Sequence, residues 1–294
     1  MLNLEDILNK VKQVEEVKVN KEKAGTKDPR VLTFKKGNTY TLRLIPNIND
    51  VDNTFVSWKE IGFPSIIDGS YVYCGRSPQD AGIKDDLFKT TQWAVYSKAK
   101  EQGDEEGKKR SYKLIPSRKQ EVNAYLVSVD GDDAEAKAKI GSVVAVKYAA
   151  QVDKDGNAVS DIYKTIQEAI FGDMAKKIGT KALDLSEKGR SLIIKVTDKA
   201  GFNSYAAKFD DAESLGLTPA KIDEILKSAY DLTEFVPEVK STEEIRKILD
   251  TLWFGNSATS DGDLDEDEIP HLSPTSKTSA SSEEVDELDE LLKD

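Results

Sequence analysis

Hydrophobic positions along this chain change period several times, and each change predicts an element. Over residues 2–17, Leu4, Ile7, Val11 and Val14 recur at helical spacing among Lys and Glu. That predicts an amphipathic helix whose seam is too short for a coiled coil and suits a docking arm. Asn20–Arg30 is polar and reads as a linker. Val31–Phe34 and the alternating run Thr39–Ile45 flank a Lys-Lys-Gly-Asn turn, which predicts a hairpin. Phe55–Trp58, Ser70–Cys74, Ala124–Val129 and Val143–Tyr148 are further strand-like runs, whereas Gln92–Lys100 fits helix or strand equally. Glu101–Gly107 and Gly131–Lys139 read as loops, and Ile162–Ile178 as a helix with Ile162, Ile166, Ala169 and Ile170 on one face. Leu192–Val196 is a short β-branched strand running into a charged turn, Thr197–Gly201. Phe202, Tyr205 and Phe209 then stand among small polar residues. Thr218-Pro219 starts a helix by its N-cap and N1 preferences. Ser241 and Glu244 form a capping box for a last helix through Trp253, closed by Gly255.

The pattern predicts an α+β body over residues 31–255, an N-terminal arm at 1–30 and a tail at 256–294. Asn256–Ser282 is a low-complexity Ser/Thr/Asp/Glu/Pro stretch expected to be disordered. After it, Val285, Leu288, Leu291 and Leu292 return at helical spacing, as in a short acidic helix that folds on a partner. The tail also explains the charge. The net charge is −12, but residues 261–294 hold thirteen acidic and two basic residues, so the first 260 are nearly neutral. A near-neutral body can still carry a basic surface, because binding depends on where charge lies.

Composition removes several classes of chemistry. No apolar run approaches the ~20 residues of a membrane span, and the N-terminal order is not that of a signal peptide. The single cysteine, Cys74, excludes an internal disulfide and fits a cytoplasmic location. The single histidine, His271, lies in the polar tail, so histidine catalysis is not expected. Asp153–Asn157 and Asp261–Asp265 imitate calcium loops but lack the glycine at the sixth position and the glutamate at the twelfth. No phosphate loop or nucleophile elbow is present. The expectation is a protein that is not an enzyme.

The cations and rings point elsewhere. Lys108, Lys109, Arg110 and Lys113 surround Tyr112 in the densest basic segment, and Arg118 and Lys119 follow closely. Arg43 lies mid-strand among apolar neighbours, a costly place for a guanidinium without an anion. Tyr71, Tyr73, Trp93, Tyr96, Phe202 and Tyr205, with Lys208 nearby, supply rings on which bases could stack between charge-neutralised phosphates. Any one ring alone more often fills a core. Single-stranded nucleic-acid binding is the leading expectation, and a single-stranded RNA module or a replication scaffold is the alternative.

In their order, these pieces resemble the single-stranded DNA-binding (helix-destabilising) proteins of T-even-type bacteriophages. The resemblance rests on Arg43-Leu44-Ile45-Pro46, Ile61-Gly62-Phe63 with Ser70–Cys74, the basic segment Lys108–Lys119, Leu192–Phe209 with its Gly-Phe-x-x-Tyr, and the tail's Asp-Glu-Leu-Asp-Glu-Leu-Leu. It implies an OB-fold-like β-barrel core with an attached helical subdomain. It also implies sequence-independent DNA coating in replication, recombination and repair, cooperative contacts between copies through the arm, and recruitment of replication proteins by the tail. Arg43, Arg118, Lys119, Phe202 and Tyr205 match the family's binding residues best. The family's zinc site uses one His and three Cys. Here Ile61 stands at the His position and only Cys74 persists, so no zinc or other cofactor is expected and hydrophobic packing around Ile61 is expected instead.

Overall fold

The computed structural model describes residues 28–212 and 214–255. The expected arm helix (Leu4, Ile7, Val11) and tail motif (Val285, Leu288, Leu291, Leu292) lie outside the described residues. Within them the chain is mixed α+β, built on a seven-stranded antiparallel sheet with several helices. The strands are β1 (Thr39–Ile45), β2 (Phe55–Pro64), β3 (Tyr71–Arg76), β4 (Ser117–Asp130), β5 (Val143–Ala149), β6 (Arg190–Lys199) and β7 (Phe202–Ala212). Their order is β3-β2-β4-β1-β6-β7, with β5 on the other side of β4.

β4 organises the sheet because it is long enough to serve three partners. Its first half pairs with β2, its second half with β1, and its opposite edge with β5. Alternate residues of these strands meet in one core: Tyr40, Leu42 and Leu44 of β1, Val122, Ala124 and Leu126 of β4, Val144 and Val146 of β5, and Leu192, Ile194 and Val196 of β6. The helix α4 (Asp161–Ile170) closes this core with Ile162 and Ile166. Its Thr165 hydroxyl donates to the Ala207 carbonyl, so the helix lies along β7. The opposite face of β4 is also covered, because Asn123 exchanges hydrogen bonds with the Tyr230 backbone.

A second core sits at the far end of β2 and β3. Ile61, Phe63, Val72 and Cys74 pack there against Phe88 and Leu114, and against Ile245, Leu249, Leu252 and Trp253. Phe88 comes from α1 (Leu87–Gln102), and Leu114 follows α2 (Glu105–Ser111). A one-turn helix α3 (Ala134–Lys137) and α5 (Pro219–Lys227) precede α6 (Thr242–Ile248), which runs on to Trp253. The caps read from sequence are formed: Thr218 accepts from the Lys221 N–H, and Ser241 and Glu244 make a reciprocal capping box.

Three expectations are corrected, and the open reading of Gln92–Lys100 is settled. Val31–Phe34 does not pair with β1; it crosses instead to β5, with a single parallel bridge from Val31 to Ala145. Gln92–Lys100 is helical, within a helix capped by Asp86 and stopped at Gly103. The acidic loop at 101–107 becomes helix from Glu105, since Asp104 caps it. The long helix expected through Ile178 stops at Ile170, and the next residues fold back in a turn. No helix among the described residues is long and apolar enough to cross a membrane.

Candidate nucleic-acid interface

The β6–β7 ribbon sorts its residues by strand parity. Leu192, Ile194 and Val196 point into the core, so Lys195, Thr197 and Lys199 point outward and are exposed. On β7, Tyr205, Ala207 and Phe209 pack inward, which leaves Phe202, Ser204, Ala206 and Lys208 outside. The register aligns Lys199 with Phe202, Thr197 with Ser204, Lys195 with Ala206 and Ile193 with Lys208. Directly opposed side chains of this kind stand ~5 Å apart. Three ammonium groups therefore share one face with a ring that is 77% exposed. Between them Thr197, Ser204 and Ala206 keep the floor low.

None of these three ammonium groups is ion-paired within the described residues. Lys36, beside the same turn, is engaged: its ammonium lies 2.7 Å from an Asp198 carboxylate oxygen and 2.5 Å from the Gly201 carbonyl. The face continues onto β1 through Thr39 and Thr41, aligned with Lys195 and Ile193.

A cleft of 420 Å³ opens on the inner side of β7, between β5, the segment 31–34 and the start of α4. Tyr205 stands edge-on to Phe34 there, with ring centroids 6.0 Å apart. Lys119 and Lys147 also reach it, but Glu60 holds both, at 3.7 and 2.6 Å. Lys147 lies over the Trp58 and Tyr73 rings, 5.1 and 5.7 Å from their centroids. Burial, and then the charge of Glu60, push the Tyr73 phenol above its usual range. Glu121 is aligned with Lys147 and fully buried, and neither of its oxygens has a hydrogen-bond partner. Burial pushes its carboxyl up to about 7, with Lys147 opposing. One carboxylate thus serves two cations, which makes the cleft a weaker anion site than the open ribbon.

The residues singled out in sequence fall into separate places. Phe202 and Lys208 share the outer ribbon face; Lys119 and Tyr205 share the cleft, with Tyr73 beside it. A spacing of three residues puts Phe202 and Tyr205 on opposite faces of β7. Arg118 and Lys119 are likewise adjacent in β4 and face opposite ways. Trp93 stacks on Tyr96, which packs on Tyr112, all within the helical region. Lys108 and Lys109 pair with Glu105 and Glu106 one turn back on α2, while Lys113 is exposed. Arg110 turns inward over the Trp253 ring, 4.6 Å from its centroid, and donates to the Trp253 carbonyl. Tyr71 is exposed and lies across Gly62, where any side chain would collide with its ring.

Arg43 is the plainest correction. It is fully buried, and its guanidinium donates to the Ser191 hydroxyl at 2.9 Å and to the Asp184 carbonyl at 3.1 Å. A Cβ at Gly189 would overlap both Arg43 and the Asp184 carbonyl, so the loop closes over the arginine only because residue 189 is glycine. Arg43 is a structural cation and lines no groove. A single channel holding all the expected residues is not formed.

Lys195 was missed because it sits inside the apolar run Leu-Ile-Ile-Lys-Val. Counting alternate residues back from Val196 would have turned it outward. Ile61 is buried against the core that also holds Cys74, whose thiol burial pushes up to about 12. Among the described residues no group of three His, Cys, Asp or Glu side chains converges as a metal site would. Compared with known proteins, the chain matches no family model, and no curated protein is found similar to it.

Proposed function

We propose that the protein binds single-stranded DNA without sequence preference, through the outer face of the β6–β7 ribbon. One observation carries this reading: three exposed lysines, none ion-paired among the described residues, line one sheet face whose turn end presents a largely exposed phenylalanine beside Lys199. Phosphates neutralise ammonium groups without regard to sequence, and a base of any kind can stack on a ring. The Thr and Ser hydroxyls on the floor of this face both donate and accept, so they impose no fixed hydrogen-bond code, as expected for a binder that ignores base identity. The cleft behind β7, lined by Asn203 and Tyr205 from the strand's other face, offers Tyr205 as a further ring.

A β4 strand shared by three partners, with segment 31–34 linking β5 towards β7, supports an OB-like core. With the resemblance noted above, this suits a protein that coats exposed strands in phage replication, recombination and repair. In that setting the arm contacts neighbouring copies and the acidic tail recruits replication proteins. Because only the open strand is bound, duplex stability falls by mass action.

The test is titration of the full chain with oligo-dT, followed by tryptophan fluorescence or anisotropy. Phe202→Ala is expected to weaken binding ~10-fold, from a stacking contribution of ~1–3 kcal/mol, with melting temperature unchanged because the ring packs on nothing. Unaltered affinity in that variant would sink the ribbon assignment. Equal or tighter binding of poly-U would favour the RNA reading, and no binding of either would leave a scaffold.

A further inference from the structure

The turn that ends α4 carries features the ribbon reading does not use. Phe171 is 68% exposed and Met174 39% exposed, an unusual outlay of apolar surface on consecutive turns. Lys176 and Lys177 follow, both exposed. The turn is firmly placed: Ile178 packs with Ala169, Ala182 and Phe209, which ties it to the far end of β7. Charge confirms the neighbourhood. Arg190 chiefly, then Lys177 and Lys208, hold the Asp211 carboxyl below its usual range, so both lysines lie in the field of one carboxylate. That carboxylate is already paired with Arg190, at 2.7 Å. Of the other acids nearby, Glu168 lies 3.9 Å from Lys164, Asp173 is exposed in the turn itself, and Asp210 is exposed two residues beyond Lys208 on β7.

We propose that the binding track runs the length of β7, passes over the sheet edge that β7 forms and ends on this turn, with Phe171 as a second stacking ring and Lys177 as a further phosphate contact. The proposal rests on the ribbon reading and adds an end point to it. Phe202 stands at the start of β7, and Phe209 to Asp211, beside the turn, stand at its end. At ~3.3 Å per residue these ends are ~23–30 Å apart, a span that only an oligonucleotide of several residues can bridge. Charge complementarity selects the occupant: an exposed ring with two exposed lysines in the same turn suits an anionic strand with stackable bases, and an apolar protein surface would leave those lysines unmatched.

The experiment compares wild-type protein, Phe171→Ala, Lys177→Ala and Phe202→Ala against oligo-dT of increasing length over a salt series. Phe171→Ala is expected to match wild type on the shortest oligonucleotides bound and to lose ~10-fold on longer ones. Lys177→Ala is expected to lower the log–log salt slope by ~0.7 on long oligonucleotides only. Phe202→Ala weakens binding at every length. If Phe171→Ala and Lys177→Ala follow wild type at all lengths while Phe202→Ala is impaired, the end point is wrong and the ribbon stands. If wild type binds no oligo-dT, both readings fall together. Phe171 supports no core, so a melting curve superimposable on wild type is expected and separates binding from folding.

Discussion

Two buried charged residues, Arg43 and Glu121, show how much depends on what meets a charge after burial. Arg43 has donors satisfied by a hydroxyl and loop carbonyls, and it remains a working part of the fold. Glu121 has no such partner, since Lys147 turns to Glu60 instead. Its carboxyl is therefore moved from an ordinary 4.5 to about 7. Below about pH 4.5 the folded and unfolded chains are both protonated there, and the group costs nothing. As pH rises towards 7 the unfolded chain ionises first, so stability is lost across that window and the full penalty applies above it. A shift of this size corresponds to a penalty on the order of 3 kcal/mol. Glu121→Gln is expected to match wild type near pH 4 and to be the more stable protein at pH 8. Denaturant midpoints of both proteins across that range give the difference curve directly. A constant difference at every pH would mean that Glu121 does not titrate in this window.

At the level of elements, the β6–β7 hairpin carries the site on a turn of only two residues, Ala200 and Gly201, with φ of 52° and 89°. Gly201 takes that region freely, whereas the Cβ of Ala200 costs roughly 1 kcal/mol there. Ala200→Gly is expected to stabilise the protein by up to that amount without weakening oligo-dT binding, measured by denaturant unfolding and by titration. A loss of stability would mean that glycine's greater unfolded-state entropy outweighs the relief of strain. The same hairpin shows what was legible beforehand. Local chemistry was: the β6 run, the Thr218-Pro219 start and the Ser241–Glu244 box depend on residues close in sequence, although the turn expected over Thr197–Gly201 shrinks to Ala200 and Gly201 because Thr197–Lys199 continue β6. Pairing was not. Val31–Phe34 and β1 look like hairpin arms, yet β1 gains more by joining β4 and β6, whose partners lie far along the chain. Site residues failed for a related reason: proximity in sequence was taken as proximity on a surface. In a strand that inference holds only for alternate residues, which is why Phe202 parts from Tyr205 and joins Lys199, Lys195 and Lys208. Phe171 was lost inside a helix read eight residues too long.

For the molecule as a whole, a net charge of −12 should repel a polyanion, and the location of the charge decides otherwise. Most of the excess belongs to residues 261–294, while the ribbon presents three cations with no acid in ion-pairing contact. Electrostatics at a Debye length of ~10 Å are local, so under the proposed function a single strand at ordinary ionic strength responds to the ribbon and not to the sum. Counterion release then makes the number of engaged lysines measurable. Each contributes ~0.7 to the log–log slope of affinity against salt, so replacing Lys195, Lys199 and Lys208 together by alanine should flatten it by ~2. Their ammonium groups support no packing in the core, and the melting temperature is expected to stay within a few degrees of wild type. If the slope keeps its wild-type value while the affinity falls, the lysines act through the fold rather than on phosphates. If slope and affinity are both unchanged, the cations that meet DNA lie elsewhere, and Lys119 and Lys147 behind Glu60 become the next pair to remove. A flattened slope at preserved stability would place the phosphates on a face where this acidic protein leaves positive charge unanswered.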